Sequence, residues 1–410
     1  MQKRKFNRKK TIRLLTILSV FIVFIAYIVI MALNSDKNPI SKNSSDPTQT
    51  GLPTDSQPQN TEPTQTSEPS PTQSEDPAAN ETPSASPTET DKPDNLTIRT
   101  DYEAFLPNEA GEIPIVMFHN LIEAYEVNTE KEYTTTFAEF EALLETLYND
   151  GYRLISMEDF IDCNISVPAG TKPMVFTFDD GSPGQFNLIK ENGTLKVNPK
   201  SAAGIMMAFN EKHPDFGLKG IFYVNMNLGD NTFQGEGTLK ERFEILLSLG
   251  LELGNHTWGH TNYSKAENNS PGKIQESLGK NQEKAEEILP GLRFYSLALP
   301  YGSVPSDKNL TKYLQSGEYN GILYNNESIM AVGAEPSVPP IHTKYNSLYV
   351  RRIRAQGREE VTCDLTWWLP RMTSTRMFIS DGDPTTIVVP EAKSGEINKE
   401  KLINQTLITY

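Results

Sequence analysis

Apolar positions along this chain fall into three regimes. Residues 14–33 carry no charge over 20 consecutive positions, long enough for a helix to cross the hydrocarbon core of a bilayer. Residues 34–98 reverse the pattern: Ser, Thr, Pro, Gln and acids dominate and no aromatic residue occurs. Such a composition cannot bury enough apolar area to offset chain entropy, so it predicts a disordered stalk. From Arg99 onward, short apolar runs alternate with amphipathic stretches, which predicts a folded domain over 99–410.

Within that domain, the apolar runs at 113–118, 174–178, 220–224, 251–254 and 296–299 read as strands. Between them lie helical patterns near 201–212, 238–249 and 273–289. An earlier one opens on a capping box, Thr136 to Glu139, puts Phe140, Leu143, Leu144 and Leu147 on one face, and stops at Gly151. Strands alternating with helices predict an α/β fold with a parallel sheet, in which functional residues gather at strand C-termini.

Charge adds location and excludes one class of partner. Seven Lys or Arg and no acid occupy residues 1–13, so that tail should stay cytoplasmic, residues 14–33 should anchor the chain in the cell membrane, and the rest should be exported. No small-x-small cleavage site follows Leu33, which favours an uncleaved anchor over a signal peptide. The net charge is −15 overall and −14 for residues 99–410, which argues against nucleic acid and suits neutral or cationic polymers. Cys163 and Cys363 are too few for a disulfide scaffold, and two separate thiols is the simpler reading over one long-range bridge.

Chemistry-bearing residues fall at the predicted strand ends. Asp179 and Asp180 follow the strand at 174–178; paired acids there need partners such as a metal or a proton, although a turn or helix cap alone would also use them. His256 and His260 follow the next-but-one strand, and a helical turn between them would let both imidazoles face one metal. After the strand at 296–299, Pro300-Tyr301-Gly302 reads as a fixed turn able to present a backbone N–H and an aromatic wall.

On these residues the chain resembles the NodB-type polysaccharide deacetylases, carbohydrate esterase family 4. Thr177-Phe178-Asp179-Asp180-Gly181 is similar to that family's TFDDG motif, His256-Thr257-Trp258-Gly259-His260 to its H-T/S-x-x-H motif, and Pro300-Tyr301-Gly302 to the end of its R-x-P-Y motif. The resemblance spans about residues 113–357 and implies a distorted (β/α) barrel of about seven strands. It implies Asp180, His256 and His260 as ligands of a divalent metal, zinc by default, with cobalt, nickel and iron compatible. It implies Asp179 as general base and the backbone N–H of Tyr301 as a donor to the developing oxyanion.

Two departures accompany the resemblance. Ala298 stands where the family has the Arg that pairs with the catalytic Asp, leaving nothing obvious to hold the Asp179 pKa down; one of Arg351, Arg352 and Arg354 is a possible substitute. The family's late L-x-H motif, source of the general acid, has no counterpart, and His119 and His342 are the remaining candidates. The expected activity is removal of N-acetyl groups from GlcNAc-type units of peptidoglycan or an exopolysaccharide. The alternative is a catalytically weak or inactive glycan-binding module at the cell surface.

Overall fold

The computed structural model describes residues 97–355 and 361–410. The expected basic tail (1–13), apolar span (14–33) and polar stretch up to residue 96 lie outside the described residues. Among those described, no helix is long and apolar enough to cross a membrane.

Eight strands form one all-parallel sheet: β1 (Ile115–Phe118), β2 (Tyr152–Leu154), β3 (Lys172–Phe178), β4 (Ile221–Val224), β5 (Glu252–Asn255), β6 (Ser296–Ala298), β7 (Ser328–Met330) and β8 (Ile353–Arg354). Their spatial order is β7-β6-β5-β4-β3-β1-β8, with β2 beside the start of β3. Val350, just ahead of β8, bridges Met330 of β7 in parallel. The segment from Val350 to Arg354 therefore pairs with both edges of the sheet and curls it into a barrel. The expected α/β fold is present as a curled, all-parallel sheet, with eight strands among the described residues where about seven were expected. The sequence pattern did not mark β2, β7 and β8, which are two or three residues long.

Strand periodicity sorts the core into two layers. Ile115, Val175, Ile221, Tyr223, Ala298 and Met330 form one buried cluster, the barrel interior. The alternate residues Val116, Phe118, Phe176, Phe178, Phe222 and Val224 belong to another, beneath the surrounding helices. Those helices include α1 (Phe137–Asn149), α2 (Ala202–Lys212), α3 (Leu239–Ser248) and α4 (Pro271–Ile288). The capping box opening α1 forms as the sequence implies: Thr136 Oγ1 accepts from Glu139 N at 3.2 Å, and Glu139 Oε2 accepts from Thr136 N at 2.9 Å. Gly151 follows α1 with φ +82°, a conformation that favours glycine.

In the parallel pairing of β1 with β3, Phe118 lies beside Phe178. The next residue on each strand, His119 and Asp179, thus emerges at the same end of the barrel. Asp179 also continues the inward-facing series of Val175 and Thr177, so its carboxylate points over the barrel interior.

Candidate active site

A cleft of about 410 Å³ at the C-terminal ends of β1, β3, β5 and β6 is lined by His119, Asn120, Glu130, Tyr133, Asp179, Asp180, His256, His260, Leu299, Tyr301 and Val332. The five residues singled out by the resemblance, Asp179, Asp180, His256, His260 and Tyr301, all face this space. Asp180, Thr257, His260 and Tyr301 have φ of 81°, 63°, 51° and 58°. Left-handed backbone at non-glycine residues is strained, and its concentration at one site is a mark of functional constraint.

The Asp180, His256 and His260 ligand atoms lie within 4.8 Å of one another. Asp180 Oδ1 is 3.2 Å from His256 Nε2 and 3.3 Å from His260 Nε2. His256 Nδ1 lies 2.9 Å from the Ala298 carbonyl oxygen, to which it donates. That bond occupies Nδ1 and turns Nε2 towards the carboxylate, where either a proton or a metal ion between the two atoms would satisfy both. The donor set therefore fits a divalent metal. The expected helical turn from His256 to His260 does not form: the segment is a loop, and the positive φ of Thr257 and His260 brings the two imidazoles together. Asn255 Oδ1 accepts from Thr257 N at 2.9 Å, Asn225 Oδ1 accepts from Gly259 N at 3.0 Å, and Trp258 N donates to the Ser277 carbonyl at 2.9 Å. Asn255 and Asn225 carry no sequence motif that announces this role.

Asp179 is 1 % exposed and meets Arg352, also fully buried. Arg352 Nη1 and Nη2 donate to Oδ1 and Oδ2 of Asp179, both at 2.7 Å; Nη1 also donates to Thr177 Oγ1 at 3.0 Å, and Nε to the Ala331 carbonyl at 2.9 Å. Burial pushes the Asp179 carboxyl up, but the adjacent guanidinium outweighs it and holds the group below its ordinary value. This corrects the expectation that nothing depresses the Asp179 pKa. Ala298 does face the barrel interior without a charge, and Arg352, from the β8 side of the barrel, supplies the cation instead.

His119 Nε2 lies 3.9 Å from Asp179 Oδ2, and its buried Nδ1 has no hydrogen-bond partner among the described residues. Burial pushes the His119 pKa down, despite the pull of Asp179 and Asp180 in the other direction. The second candidate, His342, lies elsewhere. It lines a separate cavity beyond the N-terminal end of β1, where Ser337 bridges Ile113, and its Nε2 is 3.6 Å from Glu396. Tyr301 is 65 % exposed, and its ring centroid is 4.6 Å from that of His260. Cys163 and Cys363 are both free thiols.

A parallel barrel holding a two-imidazole, one-carboxylate cradle beside an ion-paired acid has the parts of a metal-assisted hydrolase. Residues 166–322 match the family model described as polysaccharide deacetylase, so the chain carries a polysaccharide deacetylase domain. Both His119 and Arg352 fall outside the matched residues.

Solved structures similar in part include a Bacillus anthracis protein described as a polysaccharide deacetylase (21% identity, TM-score 0.44, covering 62% of this chain and 66% of that one). Another is a Bacillus cereus polysaccharide deacetylase (20%, TM-score 0.46, covering 64% and 69%). A third is a Streptococcus pyogenes deacetylase in complex with acetate (16%, TM-score 0.47, covering 64% and 98%). The chain thus spans 66% of the length of the first of these relatives. Among curated proteins there is no match.

Proposed function

We propose that this protein is a metal-dependent hydrolase that removes N-acetyl groups from GlcNAc-type units of a cell-wall or extracellular polysaccharide. The observation that carries this reading is the meeting, in one cleft, of the Asp180–His256–His260 cradle with Asp179 and His119. Asp180, His256 and His260 would hold a divalent cation, zinc by default, which would supply Lewis-acid polarisation of the acetamide carbonyl.

The chain's own groups do the rest. Asp179, kept ionised by Arg352, takes the proton of the attacking water. The backbone N–H of Tyr301, at the rim of the cleft, would donate to the oxygen on which charge develops. His119, which burial favours in its neutral form, takes that proton from the Asp179 carboxyl 3.9 Å away and passes it to the departing amine. Because Arg352 and His119 offer the two functions that Ala298 and the missing L-x-H motif left open, the reading as an inactive glycan-binding module loses its main support. Residues 14–33 would hold the enzyme in the membrane with the domain outside.

The test is acetate release from N-acetylchitooligosaccharide and from wall fragments by the purified domain, before chelation, after it, and after restoring the metal. Release that disappears on chelation and returns with metal supports the proposal. Binding without release in all three states supports the binding-module reading instead.

A further inference from the structure

Pairing between β1 and β3 ends just where the chemistry begins. Beyond the bond from Asp179 N to the Phe118 carbonyl, at 2.9 Å, pairing of β1 with β3 ends, and the next ladder on this segment, Asn120–Ile122 beside Thr134–Thr136, begins only after His119. The turn after the two aspartates takes over. Gln185 is fully buried, and its side-chain amide donates to the His119 carbonyl at 2.7 Å and to the Asp179 carbonyl. Ser182 Oγ donates to the same His119 carbonyl at 3.2 Å. Gly184 lies so close to the Leu121 carbonyl that any Cβ there would collide with it.

Gln185 is itself held at both ends of this turn. Its backbone N donates to the Ser182 carbonyl at 3.0 Å, and its carbonyl accepts from Ala203 N, at the start of α2, at 3.0 Å. Its Oε1 is buried and has no hydrogen-bond partner among the described residues. The NH₂ end spans the two carbonyls of the residues given proton-handling roles above. Two carbonyl acceptors also fix which way the amide points, because the reverse orientation would set three oxygens against one another.

We propose that Gln185 is a positioning residue that locks the His119 proton donor against Asp179, with Ser182 as its auxiliary. The proposal rests on the reading of His119 as the donor to the leaving amine. The amide donors tie the two strand ends together through their main chains, so their loss lets His119 swing while Asp179, held separately by Arg352, stays in place.

The test compares an amide with an aryl ester. Hydrolysis of an N-acetylated amino sugar needs a proton on the leaving amine, whereas p-nitrophenyl acetate releases a phenolate that leaves without one. Gln185→Leu and the isosteric Gln185→Glu should lower kcat on the amide by about 10- to 100-fold, since misplacing a reacting group by about 1 Å costs on that order. KM, bound metal and aryl-ester turnover should stay within about threefold, as expected when only the positioning of the leaving-group donor is lost.

His119→Ala, run alongside, should show the same selectivity with a larger amide loss. If His119→Ala is not selective for the amide, the reading of His119 fails, and the proposal with it. If His119→Ala is selective but the Gln185 variants match wild type, or lose ester and amide equally, the positioning role alone is overturned. Should neither Gln185 variant fold, half-buried Ser182→Ala reads the same effect: a small loss confined to the amide supports the clamp, and no loss overturns it.

Discussion

Arg352 and Asp179 lie 173 positions apart and meet through two parallel bonds of 2.7 Å over the barrel interior, both of them buried. A bidentate guanidinium–carboxylate pair is among the stronger polar contacts, and losing one partner strands the other charge away from water. Arg352→Met leaves a buried, unpaired carboxylate and should destabilise the domain by about 3 to 5 kcal/mol, read by urea unfolding. Destabilisation below about 1 kcal/mol would show that the pair is open to water.

The same pair should set the acid edge of activity. Asp179 titrates below its unfolded value in the folded protein, so its stabilising effect is complete above about pH 4 and is lost as pH falls through the lower folded value. Arg352→Gln should move the acid limb of the kcat/KM profile to higher pH. An unmoved limb would mean that Arg352 does not govern the base.

Much of this was legible from sequence because the strands carrying Asp179, Asp180, His256 and His260 are apolar runs ending in marked polar residues. The capping box at Thr136 and the stop at Gly151 fixed α1 just as directly. Arg352 was only one of three candidates, since β8 is two residues long and its pairing with β1 is a long-range event without local periodicity. His119 was ambiguous against His342 because burial and distance to Asp179 exist only in three dimensions. The helical turn expected at 256–260 failed because two residues there adopt left-handed backbone, which neither Thr257 nor His260 announces.

Far from the cleft, Glu109 is buried and its carboxylate accepts from Val388 N at 2.7 Å and Asp381 N at 3.2 Å. Burial, and then the charge of Asp381, raise its pKa well above the usual value. A carboxyl raised on folding binds its proton more tightly in the native state, so stability declines as pH rises from about 4.3 through the folded pKa. Glu109→Gln should therefore gain relative to wild type across that window in urea unfolding at successive pH values. Parallel stability curves for the two proteins would contradict this.

Residues 14–33 yield a prediction independent of the fold. The full-length chain should partition with membranes and resist carbonate extraction. Recovery of a soluble form whose N-terminus lies between about residues 33 and 45 would show cleavage instead.

For the cradle, Asp180→Ala and His256→Ala should each abolish tight metal binding by the domain beginning at Arg99, because two remaining donors hold an ion poorly. Metal content equal to wild type in both would remove the cradle from the account.

The central claim is that Asp179 works as a base beside a metal held by Asp180, and one paired measurement separates those roles: bound metal and acetate turnover determined on the same samples of wild type, Asp179→Asn and Asp180→Asn. Asp179→Asn should keep its metal and lose about 10² to 10⁴-fold in kcat, since the amide preserves shape but cannot accept the proton of water. Asp180→Asn should lose metal and activity together. Turnover within a few-fold of wild type in Asp179→Asn, or metal lost from that variant and retained in Asp180→Asn, would contradict the assignment.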